Sequence, residues 1–283
     1  MSGLARNEPG EPSAAWELLR ARVERHAAGL RAPAGRHGLC EVCWAPVGPG
    51  YARCFQCQLH AESVPGGPAD VVVPIAYSVK GSRLARDLWL YKSARDGAPA
   101  ARSALRALLL VFLRDHGRCV RRQAGMPAAT HVCVVPSGRG RPGRHPLAAL
   151  IAPYVSLPWA GLVARGHDHP WVRDLDPDRF RTAQPLPGAA VLLLDDTWAS
   201  GGSVQSASVA LRQAGARWVA AVVLGRHLAP ASPPGPPSPP GLPSPPGLPS
   251  PQPSVGAPPA GVPFRLDRCA VHGAGHRLIT LDR

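Results

Sequence analysis

Asp195 and Asp196 are adjacent carboxylates, and the run Ala199-Ser200-Gly201-Gly202-Ser203 follows them after two residues. Small residues leave backbone N–H groups open to an anion, and a helix N-terminus adds the positive end of its dipole. The loop therefore suits a phosphate, and the acids suit hydroxyls beside it. A phosphate next to two hydroxyls describes a ribose 5-phosphate. A second set of groups lies in the run 136–145, where Arg139, Arg141 and Arg144 offer planar guanidinium forks for phosphate oxygens. Two such loops fit a ligand phosphorylated at both ends. The third set is Cys40-Glu-Val-Cys43 and Cys54-Phe-Gln-Cys57, with ten residues between the pairs. Two Cys-x-x-Cys turns at this spacing can present four thiolates tetrahedrally to one zinc ion.

These groups need elements to hold them. Val191-Leu192-Leu193-Leu194 is a short aliphatic run of the kind found in buried parallel strands, and it ends at the two acids. An amphipathic helix follows, with Val204, Val209 and Leu211 apolar and Gly215 as its C-terminal cap. Ligands of open α/β sheets bind at the carboxyl ends of the strands, where the acids fall. Thr130–Val135 reads as a second buried strand leading into the arginine-rich run, and Pro146 opens the next helix. Val71–Tyr77 is a strand in which Pro74 favours an edge or bulge. Ser82 to Tyr91 is a helix with Lys92 directly after it, and Pro99 starts another that runs to about Asp115. Ser13 is an N-cap for a docking helix to about Leu30, carrying Trp16, Leu19, Val23, Ala27 and Leu30 on one face. Gly161–Ala164 is a short strand, and the polar stretch 165–182, with His167 and His169, suits a mobile lid. Arg217–Leu224 is a further strand.

The expected organisation is a helix and polar start over 1–35, a zinc ribbon over 36–64 and a main domain over 69–228. A proline-rich insertion follows over 229–262, in which Pro-Ser-Pro-Pro-Gly-Leu recurs, and 263–283 returns to the domain. Cys269-Ala-Val-His272 reads as part of a strand with a buried Cys. Trp44, Tyr51, Arg53 and Phe55 either cover the zinc or touch nucleic acid.

The 283 residues carry a formal charge of +14, and of 32 basic side chains only Lys80 and Lys92 are lysine. The positive field attracts polyphosphates or nucleic acid. No apolar run is long enough to span a membrane, and arginines interrupt every candidate signal segment, so the expected location is the cytoplasm. With seven cysteines and no export signal, a metal site is favoured over a disulfide framework.

The strand, the double acid and the Ser/Gly loop resemble the signature of type I phosphoribosyltransferases. With the four-Cys ribbon, the Leu-Trp-Leu-Tyr91-Lys92 helix end and the Val-Val-Pro136 strand, the stretch from Cys40 to about His227 resembles the ComF-type, competence-associated branch. Where that family has Arg-Gly-Phe-Asn-Gln, this chain has Gly143-Arg144-His145-Pro146-Leu147, and Arg144 corresponds. The first loop Thr of the family is Ala199 here. The resemblance implies an α/β fold with a parallel sheet flanked by helices. It also implies phosphoribosyl pyrophosphate with Mg²⁺ as substrate, and transfer to a nitrogen acceptor. Asp195 and Asp196 would then hold the ribose hydroxyls, Ala199–Ser203 the 5-phosphate, and Arg139, Arg141 and Arg144 the pyrophosphate. The alternative it carries is a non-catalytic module that binds such a ligand and associates with DNA or a DNA-processing protein.

Overall fold

The computed structural model describes residues 14–33, 35, 37–64, 68–137, 145–165, 174–229, 261–268 and 271. In chain order these form α1 (Ala14–Ala27), β1 (Arg31–Ala32), α2 (Phe55–Ser63), β2 (Val71–Val79), α3 (Arg83–Leu90), α4 (Ala98–Gln123) and β3 (His131–Val134). Then come α5 (Pro146–Ile151), β4 (Leu162–Ala164), β5 (Phe180–Thr182), β6 (Ala190–Trp198), α6 (Gly202–Gln213), β7 (Trp218–Leu228) and β8 (Val262–Pro263).

The main sheet has the order β3-β6-β7-β2-β1-β8. β3, β6, β7 and β2 are parallel; β1 runs antiparallel to β2 and β8. The parallel strands are aliphatic on both faces because both are covered, as parallel sheets require. α3, α4 and α5 pack on one face with Val73, Ile75, Leu194, Val222 and Leu224. α6 and the four-Cys segment pack on the other with Val72, Val191, Leu193, Val219 and Val223. The fold is thus mixed α/β, with a mostly parallel sheet between helical layers. Leu105, Leu108 and Leu109 of α4 are almost fully buried, and each contributes roughly 1.5–3 kcal/mol relative to an exposed position.

Several elements differ from their sequence-based bounds. α1 ends at Ala27, because Gly29 turns the chain at φ +89°; Leu30 stays buried beyond the helix. α4 runs to Gln123 rather than to about Asp115, since His116 and Val120 continue its buried stripe past Gly117. β2 lies inside the sheet, yet Pro74 keeps an open flank: β2 pairs with β1 only at Tyr77. The four-Cys segment is less of a ribbon than expected. Among the described residues it has one bridge, Leu39 to Pro46, and its second cysteine pair opens α2. Part of the expected lid is fixed: β5 pairs with β4, Phe180 is buried, and Asp176 donates its N–H to Ser206 Oγ of α6 at 2.8 Å. His167, His169, Ser13, Cys269, His272 and the proline-rich repeats lie outside the described residues.

Candidate functional site

β6 carries the two acids to the carboxyl edge of the sheet, between β3 and β7. Side chains alternate along a strand, so adjacent acids point to opposite faces. Asp196 follows Leu194 toward the α3–α4 side. There its Oδ2 accepts from the Tyr91 hydroxyl and pairs with the Lys92 ammonium. Tyr91 caps the C-terminus of α3, and Lys92 is the next residue, which is why the helix end delivers both groups together. Asp196 is only 4% exposed, a burial that a carboxylate tolerates when paired and hydrogen-bonded. Asp195 lies on the α6 side and is partly exposed, and its Oδ1 accepts the Asp196 N–H at 2.8 Å. Dense protein around it pushes the Asp195 carboxyl well above the usual carboxylate range, and the neighbouring Asp196 charge pushes the same way. The Asp196 N–H and the Lys92 charge oppose that shift.

The loop after β6 is shaped by Gly201, the residue before α6, at φ +93°. A Cβ there would stand 2.2 Å from Trp198 Cζ2, so only glycine fits against the indole. Ser200 Oγ lies 3.4 Å from the Gly202 N–H. The first N–H groups of α6 have no partner within the helix, as at any helix start. Arg226, at the end of β7, braces the loop from beneath: its Nη1 donates to the carbonyls of Trp198 and Ala199 at 3.2 and 2.8 Å.

Arg179 was not among the expected site residues. It sits just before β5, is 6% exposed, and donates from Nη1 to Ser203 Oγ at 3.2 Å and from Nη2 to the Asp174 carbonyl at 3.0 Å. Burial lowers its pKa, while Asp176 and Asp174 raise it. A buried guanidinium thus stands at the mouth of the Ser/Gly loop. The signal in the sequence was Phe180, an apolar residue directly after it in a stretch rich in charge. Asp174 also accepts from Gln56 Nε2 at 2.8 Å, which ties α2 to the same region. Arg139, Arg141 and Arg144 lie outside the described residues; β3, which leads toward them, is next to β6.

The thiols of Cys40, Cys43, Cys54 and Cys57 all lie within 4.8 Å of one another, and the Cys43 and Cys54 sulfurs are 3.6 Å apart. A tetrahedral zinc with bonds of about 2.3 Å needs sulfur–sulfur edges of about 3.8 Å, so the cluster could hold such an ion. Hydrogen bonds from Cys43, Cys54 and Cys57 pull the Cys40 thiol far below its ordinary range, and bonds to Cys40 push Cys54 and Cys57 far above it. A cation would displace the protons shared among them. The segment is pinned to β2: Trp44 Nε1 donates to the Val72 carbonyl at 2.7 Å, and the Tyr77 hydroxyl donates to the Trp44 carbonyl at 2.9 Å.

No family model and no curated protein sequence matches the chain. Among solved structures it is similar to the "allosteric regulatory enzyme of purine biosynthesis", at 20% identity and a TM-score of 0.27, over 44% of this chain and 26% of that one. The chain therefore spans about a quarter of that relative's length. It is also similar to adenine phosphoribosyltransferase from Leishmania tarentolae, at 16% identity and a TM-score of 0.29, over 52% of this chain and 75% of that one. The Leishmania donovani enzyme matches at 15% identity and a TM-score of 0.29, over 62% and 80% of the two chains. Among the described residues, no helix is long and apolar enough to cross a membrane.

Proposed function

We propose that the chain is a phosphoribosyltransferase that takes phosphoribosyl pyrophosphate with Mg²⁺ and transfers phosphoribose to a nitrogen acceptor. The observation that carries this reading is the junction of β6 and α6. An acid pair at a strand's carboxyl end is followed at once by a loop that Gly201 and Trp198 hold in one shape, opening onto a helix N-terminus.

In this reading Ala199, Ser200, Gly201, Gly202 and Ser203 receive the 5-phosphate, and Arg179 adds a buried positive charge at Ser203. The partly exposed Asp195 accepts hydrogen bonds from the ribose hydroxyls. Asp196 is committed to Tyr91 and Lys92, so its role is to hold that ammonium beside the ribose rather than to take a hydroxyl itself. For the same reason Asp196 does not suit direct coordination of a cation; Mg²⁺ would ride on the pyrophosphate oxygens and neutralise the leaving group's charge. Arg139, Arg141 and Arg144 would do so from the run after β3. The C1–O bond breaks with its electron pair leaving on pyrophosphate. The acceptor nitrogen's lone pair forms the C1–N bond, and an N–H acceptor releases its proton to solvent. Asp195, in its ionised form, favours the positive charge that develops at C1, while the Asp196 charge is met by Lys92. Cys40, Cys43, Cys54 and Cys57 would hold zinc as a structural clamp, since they secure α2, which in turn meets Asp174.

The test is phosphorus NMR of ribose 5-phosphate. The wild type should shift and broaden the phosphate resonance, and Asp195→Asn should leave it closer to its free position. A folded wild type that leaves the resonance unmoved sinks the reading.

A further inference from the structure

A cavity opens beside the acid pair. It has a volume of about 540 Å³, within the usual 300–1,000 Å³ range of small-ligand sites. Its wall is made by the carboxyl ends of β2, β6 and β7 and by α3. Thr197 contributes from β6, and it is the residue directly after Asp196. Lys80 and Arg86 also line the cavity, as do His227 and Trp89, and no carboxylate does. Neither Lys80 nor Arg86 forms an ion pair among the described residues, although Arg83, one turn away on α3's outer face, lies beside Asp87. Trp89 is 56% exposed, a large apolar face left to solvent at the rim. Its ring lies 4.7 Å from the Arg95 guanidinium, which orients the indole plane.

The position of this cavity bears on the reaction. Displacement at a sugar carbon by a lone pair proceeds most directly from the side opposite the leaving group. In the sheet, β3 lies on one side of β6 and β7 and β2 lie on the other. The arginine-rich run follows β3, and the cavity sits over β7 and β2. The ribose, held at Asp195 on β6, would then stand between pyrophosphate and cavity.

We propose that this cavity is the acceptor site, and that the acceptor is a flat heteroaromatic ring bearing an anionic substituent such as a carboxylate. The inference rests on the phosphoribosyltransferase reading given above. Lys80 and Arg86 meet the anionic substituent, Trp89 covers the ring face, and the ring nitrogen points across Thr197 toward C1 of the ribose. Lys80 and Arg86 are both exposed, so water solvates them beside a neutral ring, and an acid gains their attraction where an amide does not, which is how the site discriminates between the two.

The experiment uses two matched pairs of probes, orotate with uracil and pyridine-3-carboxylate with pyridine-3-carboxamide. Binding to the full chain is followed by ligand-observed NMR. Each acid should bind at least tenfold more tightly than its neutral partner. The double variant Lys80→Met, Arg86→Met should lose that preference while leaving the weak binding of the neutral rings unchanged. Both side chains stand outside ion pairs, so the variant keeps its fold, and a melting curve checks this. Trp89→Ala should weaken acids and neutral rings alike. No binding of any probe, equal binding of acid and neutral partner, or a preference that survives the double variant would each overturn the inference. Ribose 5-phosphate binding is measured in the same samples. If it is retained while the ring probes fail, the acceptor assignment falls and the phosphoribosyl reading stands; if it is absent from the wild type, the reading itself falls.

Discussion

Gly201→Ala is the sharpest probe of the loop. Two separate penalties act on the same methyl group. At φ +93° an L-residue is strained, by about 1–2 kcal/mol. The methyl would also stand 2.2, 2.5 and 2.8 Å from three atoms of the Trp198 ring. Trp198 is 1% exposed, so its indole has no open space to move into, and overpacking of this kind costs about 1–3 kcal/mol. The sum is about 2–5 kcal/mol, or a fall in melting temperature of about 4–20 °C at roughly 2–4 °C per kcal/mol. The assay is urea denaturation together with ribose 5-phosphate titration. Gly29→Ala is the control: it has a similar positive φ, +89°, but open space around the added methyl. It should lose only the strain, about 1–2 kcal/mol. Combining Gly201→Ala with Trp198→Ala should cost less than the two single changes summed, because one removes what the other collides with. Gly201→Ala with wild-type stability and wild-type affinity would refute the claim that the indole sets the loop's shape.

Further outcomes follow from the neighbouring residues. Arg179→Met should weaken ribose 5-phosphate binding by about 10- to 150-fold, the equivalent of one charge-assisted hydrogen bond of about 1.5–3 kcal/mol; unchanged affinity would remove Arg179 from the site. Hydroxyl binding needs ionised Asp195, so affinity should fall on acidification at a pH above the ordinary carboxylate range. Asp196→Asn should move that midpoint down and Lys92→Met should move it up, because Asp196 raises and Lys92 lowers the Asp195 value. A midpoint indifferent to both would contradict the electrostatics. The linked stability term has the opposite sense to that of a salt-bridged acid. Folded Asp195 holds its proton more tightly than the unfolded chain, whose value is about 3.9, so its contribution favours folding at acid pH and is lost as pH rises through the folded value. Asp195→Asn should flatten that slope in denaturation curves. Elemental analysis should find one zinc per chain, lost in Cys43→Ser, Cys57→Ser, with α2 becoming protease-sensitive; full protection after metal removal would argue against a clamp.

Much of the site's frame was legible in the sequence, because a few residues each admit one local solution. The aliphatic run ending at Asp195 could be read as β6, Ser82 as the cap of α3, and Gly215 as the end of α6. The four cysteines announced their cluster by spacing alone. What stayed hidden depends on contacts between distant segments. The placement of β7 between β6 and β2 leaves no mark in any one strand, since each is simply aliphatic. Arg179 looked like one more charge in a polar stretch, and its burial needs the hydroxyl of Ser203 and the carbonyl of Asp174. The opposite orientations of Asp195 and Asp196 do follow from strand alternation. Only the arrival of Tyr91 and Lys92 at the end of α3 gives the two acids different surroundings.

The most direct measurement is calorimetric titration of phosphoribosyl pyrophosphate with Mg²⁺ into wild type and Asp195→Asn. Saturable binding at one site per wild-type chain, weakened at least tenfold in the variant while its melting curve keeps its cooperative form, is the expected result. Equal binding by both proteins, or none by a folded, zinc-loaded wild type, would contradict the assignment of the β6–α6 junction as a phosphoribosyl site.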